Sequence, residues 1–231
     1  MVDAAVKTGA VKIFWMGHAG FKLSIMYDGS EKIVYIDPWI GNPKYPDSLK
    51  NEAGENPTPE DADLILITHG HFDHGLNAAE MQKASTKEDC KIACINELAH
   101  YYRLNKGVDQ NQLIGGNIGG TRNLGWCKIS MTYAVHSGAT GYSDDGIAQY
   151  AGPAAGWVLR LDNGLSIYHA GDTGAFTDMN IINDLYAPTH LLLPIGGEFT
   201  MGPEEAAYAV AKFLTTAKVI IPMHYQTFPL L

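Results

Sequence analysis

Residues 63–75 read DLILITHGHFDHG. Four consecutive aliphatic residues, Leu64 to Ile67, run into Thr68, and then His69, His71, Asp73 and His74 fall within six positions, broken by Gly70 and flanked by Gly75. A short, wholly apolar run bounded by such residues reads as a strand buried on both faces. A strand of that kind needs a sheet covered on each side. Its end is then held by the core, and whatever side chains follow it are held with it. Three imidazoles and a carboxylate at such a point form a ligand set rather than a solvated turn.

The rest of the chain supplies the layers. VKIFWMG (11–17), FKLSIMY (21–27) and KIVYIDP (32–38) read as short strands, the last two separated by an Asp-Gly turn at hairpin distance. Residues 41–62 are rich in Pro, Gly and Asn; a loop of about 20 residues is long enough to act as a lid or substrate wall. DLILIT (63–68) is a strand, LNAAEMQKAS (76–85) a helix, KIACIN (91–96) a strand and ELAHYYRLNKG (97–107) a helix closed by Gly107. KISMTYAVHS (128–137) and the hairpin GWVLRLDNGLSIYHAGD (156–172) continue the β pattern. FTDMNIINDLY, THLLLP, PEEAAYAVAKFLTTA and KVIIPMH then alternate helix and strand, with Pro203 suited to a first helical turn. This order predicts an α/β layered domain, and the absence of a linker-like composition break predicts one domain over 1–231.

Charge narrows the function. The chain has 16 basic and 25 acidic residues, a net charge of −9, and no basic cluster. That argues against nucleic acid and anionic membranes as partners and leaves a small-molecule substrate, with a homo-oligomer left open. No apolar run approaches the roughly 20 residues of a membrane span, and the opening MVDAAVKTGAVKIF lacks the pattern of a secretory leader. Cys90, Cys94 and Cys127 form no disulfide framework and read as structural thiols. A cytoplasmic location is the expectation.

Four strand-like segments end at a ligand type: the 69–74 cluster, His136, Asp172 and His224. Strand ends at one rim of a layered sheet converge, so these groups are expected to build one site. Imidazole and carboxylate suit zinc, manganese or iron. Two cations about 3.5–4 Å apart need an anionic bridge, for which Asp172 is the natural candidate.

At this point the residues resemble a known family. ITHGHFDH is similar to the defining motif of the metallo-β-lactamase superfamily. GHAGFKL, IDPWIGNP, His136-Ser137, YHAGDTGAF, LPIGGEFTMGPEEAA and PMHYQTFP resemble its branch of small metal-dependent hydrolases related to L-ascorbate-6-phosphate lactonase. The resemblance implies a four-layered αββα sandwich with two mixed sheets flanked by helices. It also implies two divalent metal ions per chain, zinc first, with Mn2+ or Fe2+ as alternatives. His69, His71 and His136 would bind one, Asp73, His74 and His224 the other, with Asp172 shared. His71 stands where oxygen- and NO-reducing members carry glutamate, which disfavours redox chemistry. Relatives continue past the HYxTFP block, so a C-terminal element is expected to be shortened here.

The implied reaction is hydrolysis of a small ester, foremost a lactone, by a metal-bridging hydroxide. A small phosphodiester and a non-catalytic metabolite sensor are the alternatives. Asp73 and His18 are the expected catalytic side chains; Asp37, Phe199, Thr200 and Met201 are expected to contact substrate. His169 is open between supporting the site and packing the sheet, while His100 and His190 read as structural. GGNIGGTRNLG (115–125) lacks the Lys-Ser/Thr and following helix of a phosphate loop, so turns between short strands are expected.

Overall fold

Tyr27 pairs with Ser30 across a turn in which Asp28 and Gly29 have φ of 49° and 79°, the left-handed pair that a tight hairpin requires. The computed structural model to which this turn belongs describes residues 5–142 and 148–231. Its first sheet holds β1 (Thr8–Trp15), β2 (Phe21–Tyr27), β3 (Ser30–Ile36), β4 (Leu64–Leu66), β5 (Lys91–Ile95) and β6 (Leu113–Gly116) in that order. β1 to β3 are antiparallel and β3 to β6 parallel. α1 (Phe72–Gly75) and α2 (Ala78–Ala84) lie between β4 and β5, and α3 (Asn96–Lys106) between β5 and β6. Gly107 closes α3 with φ 65°.

The second half adds β7 (Thr121–Asn123), β8 (Lys128–Tyr133), the small pair β9 (Ala139–Tyr142) and β10 (Ala148–Tyr150), β11 (Ala155–Arg160) and β12 (Ser166–His169). It ends with α4 (Met179–Tyr186), β13 (His190–Pro194), α5 (Pro203–Lys212) and β14 (Val219–Met223). Its large sheet runs β14-β13-β12-β11-β8-β7. β12, β13 and β14 are parallel, which requires crossovers, and α4 and α5 provide them.

Period-2 patterning sets the layers. In β2, Phe21, Leu23 and Ile25 are fully buried while Lys22 and Ser24 between them are half-buried. The buried set joins Ile129, Met131, Trp157 and Leu159 of the second sheet in one core, which also takes in Leu98 and Tyr102 of α3. A second cluster packs Val158, Tyr168, Leu191 and Leu193 against Met179 and Ile182 of α4 and Ala206 and Ala209 of α5. Helices thus cover the outer faces of two facing mixed sheets, the αββα sandwich that was expected.

Several boundaries differ from the sequence reading. β8 stops at Tyr133, β12 at His169 and α5 at Lys212, short of the expected 137, 172 and 217. Residues 41–62 contain one turn of 3-10 helix, Asp47–Leu49, and carry the chain between the parallel strands β3 and β4. Asn42 donates to Met16 O, and Ile40 N donates to Asn77 Oδ1, so this segment is anchored where it starts. Residues 115–125 do link two short strands, β6 and β7. Among the described residues no helix is long and apolar enough to cross a membrane.

All three cysteines are free and buried. Burial pushes the Cys90 thiol up to about 11 and raises those of Cys94 and Cys127 further. Thiolate is the reactive form. An aromatic disulfide reagent at about pH 8 should therefore label none of the three in native protein within minutes and all three after denaturation. Rapid labelling of the native state would contradict this packing.

Candidate functional site

The core fixes strand ends, and the candidate ligands sit just beyond them. His69, His136 and Asp172 are each the third residue past β4, β8 and β12, and His224 is the first past β14. The two sheets are tied together at this rim. Ala155 N donates to Thr68 O at 3.0 Å, and the Trp157 indole donates to Ile67 O at 3.0 Å. His169 adds a third tie, with Nε2 donating to Ala19 O and Nδ1 accepting from Gly171 N. Burial lowers its pKa, as suits a neutral ring with one donor and one acceptor nitrogen. His169 therefore supports the loop that carries Asp172.

Asp37 is the hub. It is fully buried, and its carboxylate accepts from Thr68 N at 2.8 Å, Thr68 Oγ1 at 2.6 Å and His74 Nδ1 at 2.8 Å. Because the Thr68 hydroxyl gives its proton to Asp37, it can only accept from His69 Nδ1, 3.0 Å away. One carboxylate thus sets the tautomer of both rings. His69 Nε2, 3.0 Å from His71 Nδ1, and His74 Nε2, 3.3 Å from Asp172 Oδ2, both face inward, as carboxylate-oriented metal ligands do.

Three groups of donors lie within 4.8 Å of one another: His69, His71 and His136; His18, Asp73, His74 and His224; and His69, His74 and Asp172. Asp172 Oδ2 stands between them, 3.0 Å from His224 Nε2, 3.3 Å from His74 Nε2 and 3.7 Å from His136 Nε2. Short as the first two contacts are, both imidazole nitrogens lack a hydrogen bond among the described residues, as do His224 Nδ1 and Asp172 Oδ1, all of them buried. Buried polar atoms are normally partnered. Lone pairs of nitrogen and carboxylate aimed at shared points fit divalent cations, and the imidazole-rich donor set suits zinc, manganese or iron.

The charges agree. Burial lowers the pKa of His69, His71 and His136, so these rings are held neutral. Burial alone would also lower His74, but Asp172, Asp37 and Asp73 outweigh it and raise that pKa well above the usual range. For Asp73 and Asp172 burial opposes ionisation, yet His74 and the neighbouring imidazoles hold both well below the usual carboxylate range. The site is a negative pocket that attracts a cation or a proton.

His18 is buried at the edge of this cluster. Its Nε2 lies 3.0 Å from Asp73 Oδ2 and its Nδ1 2.9 Å from Thr227 Oγ1. Burial lowers its pKa despite the Asp73 hydrogen bond, so the neutral ring holds Asp73 in place. His18, Asp37 and His224 adopt left-handed backbone at φ 52°, 45° and 54°, a conformation that costs roughly 1–2 kcal/mol for such residues and gathers at functional sites.

The expected substrate contacts fare differently. Asp37 has no exposed surface and its carboxylate is engaged, so it is placed to orient ligands and not to meet substrate. Met201 is also buried, in the cluster beneath α4 and α5, so it packs the sheet and does not floor a pocket. Phe199 is exposed and Thr200 half-buried beside it. His100 is exposed on α3 and is not a core residue, while His190 is half-buried at the start of β13. Sequence reasoning passed over Thr68, Thr227 and Phe72. The Trp39 ring lies 5.3 Å from His18 and 5.5 Å from Phe72, which stands between two of the candidate ligands. Thr68 had a visible signal: a hydroxyl between an apolar strand and the first histidine.

A rim of histidines and aspartates on an αββα sandwich defines a metallohydrolase of the β-lactamase type. The chain matches the β-lactamase superfamily domain over residues 32–225 and belongs to that family. It is 42% identical to a UPF0173 metal-dependent hydrolase of Myxococcus xanthus, over 99% of this chain and 75% of the relative. It is 44% identical to a UPF0173 metal-dependent hydrolase of Methanosarcina barkeri, over 94% of this chain and 84% of the relative. A solved metallo hydrolase from the hyperthermophilic archaeon Ignicoccus hospitalis superposes with a TM-score of 0.74 at 36% identity, over 95% of this chain and 84% of that one. The chain is a metal-dependent hydrolase of this superfamily with candidate His/Asp metal-binding groups.

Two substitutions test the architecture of the rim. Gly171 has φ 63°, and a Cβ there would lie 2.6 Å from Ala155 O. Gly171→Ala should destabilise the fold by about 2 kcal/mol or more in urea unfolding. Asp37→Ala leaves three buried donors without an acceptor and should cost about 3–5 kcal/mol. Losses under about 0.5 kcal/mol, the range of a neutral surface change, would show that neither residue has the packing described.

Proposed function

We propose that the chain holds two divalent cations and hydrolyses a small ester, foremost a lactone. His69, His71 and His136 hold one ion, Asp73, His74 and His224 the other, and Asp172 is shared. The observation that carries this is the position of Asp172 Oδ2, within 3.7 Å of imidazoles from both groups, where His74 Nε2 and both His224 nitrogens are buried without hydrogen-bond partners among the described residues. Zinc is the first candidate, with manganese or iron as alternatives. The proposal takes residues 1–231 as one cytoplasmic domain.

When bound, such cations polarise a scissile carbonyl and bring the pKa of water toward neutrality. The protein side of the reaction follows from the residues. Asp73 is the one carboxylate of the three with appreciable exposure, 14% of its side chain, and its Oδ2 is occupied by His18. Its Oδ1 makes no hydrogen bond among the described residues, so it is free to take a proton from the attacking water and return it to the leaving oxygen. His18 acts through Asp73, held from behind by Thr227. Exposed Phe72 and Phe199 and half-buried Thr200 are the side chains offered to substrate.

Elemental analysis of protein purified without chelator should find about two divalent ions per chain. Asp172→Ala should lower that content and cut kcat/KM by at least about a hundredfold, while His100→Ala and His190→Ala stay within about twofold. Among chromogenic lactone, ester and phosphodiester substrates, the lactone should be turned over fastest. A phosphodiester preference would replace the lactone reading. No turnover on any substrate, with metabolite binding retained, would replace hydrolysis by sensing.

A further inference from the structure

A cleft of about 330 Å³ opens at the edge of the sandwich where β6 ends the first sheet and β7 ends the second. None of the histidines or aspartates of the candidate metal groups lines it. Its floor is apolar and buried, made by Ile129, Met131 and Trp157, and its mouth is polar, with Arg122 and His100 exposed. Among the described residues no Asp or Glu lines it, although acidic residues outnumber basic ones by 25 to 16 in the chain. Among the described residues Arg122 pairs with no carboxylate, whereas the ion pairs made by cationic side chains there all use lysine.

We propose that this cleft is a second binding site, for a small organic anion with an apolar body. The volume lies within the range of small-molecule sites, about 300–1,000 Å³. A guanidinium without a carboxylate partner among the described residues, in a cleft with an apolar floor, matches a carboxylate or phosphate head on a hydrophobic body, because its planar fork pairs such groups bidentately. His100 adds a hydrogen-bonding nitrogen at the same mouth. The floor also communicates with the rim, since the Trp157 indole donates to the carbonyl of Ile67, two residues before His69.

Anilinonaphthalene sulfonate, an apolar body with one anionic head, is the probe, read by its fluorescence with the metal-loaded protein. One saturable site is expected. Arg122→Gln should weaken it by about tenfold or more and Arg122→Lys by less, with the melting temperature and metal content unchanged. Naphthoate should displace the probe and its neutral alcohol analogue should not. Equal binding by wild type and Arg122→Gln would overturn the proposal, as would equal displacement by the neutral analogue. Loss of binding in His69→Ala or His136→Ala, with Arg122 intact, would move the anion to the metal-type cluster and overturn it equally. None of these outcomes depends on which ester the rim hydrolyses.

Discussion

Three carboxylates, Asp37, Asp73 and Asp172, lie at the seam between two sheets with at most 14% of any side chain exposed. Taking an ionised carboxylate out of water costs several kcal/mol unless it is paired and hydrogen-bonded. Much of the surrounding structure answers that cost. Asp37 is met by two donors from Thr68 and one from His74, Asp73 by His18, and Asp172 by a ring of imidazoles. Asp172 is the least satisfied: its Oδ1 has no partner, and the nitrogens nearest its Oδ2 approach without a hydrogen-bonding direction. A site that is fully compensated at its base and under-compensated at its centre is built to receive positive charge.

The backbone pays a related cost around the same point. His18, Asp37 and His224 lie in the left-handed region, and His224 N donates to His18 O. None of the three is glycine, so the strain is not there for lack of an alternative. It aims side chains from β1, β3 and β14 at one volume from loops too short to curve there otherwise. The Trp157–Ile67 and Ala155–Thr68 hydrogen bonds hold the opposing sheet against the strain. Rigid strands, very short exits and inter-sheet ties give placement that a longer loop would lose.

Residue type and order revealed the layers and pointed to the candidate ligands that the fold brings together, because apolar runs and a histidine cluster are local signals. β2 is legible to the residue, its Phe21, Leu23 and Ile25 alternating with polar positions. Direction at chain reversals was not legible. The strand reading ran β8 to residue 137 and β12 to 172, because nothing local marks where a ladder ends and a three-residue exit begins. The same blindness misplaced Asp37 and Met201. Each stands in a stretch that resembles a site motif, but whether a side chain points to solvent or beneath the sheet depends on partners distant in sequence. Thr68 and Thr227 escaped notice because a hydroxyl's role in fixing an imidazole exists only once the ring is beside it.

That division bears on how such a chain could change its substrate without losing its chemistry. The groups that orient the cluster, Asp37, Thr68, His169 and Trp157, are all deeply buried, and the last three are bonded across the two sheets. A change at any of them disturbs packing and ligand direction together. Phe72 and Phe199 are exposed and Thr200 is half-buried, and the first of them sits between two candidate ligands in sequence. Substitution there alters what the rim touches while the carboxylates beneath keep their partners. The fold therefore separates an electrostatic problem, how to bury three negative charges, from a steric one, which groups stand above them. The first is solved in the core, and the second is left to a few exposed side chains.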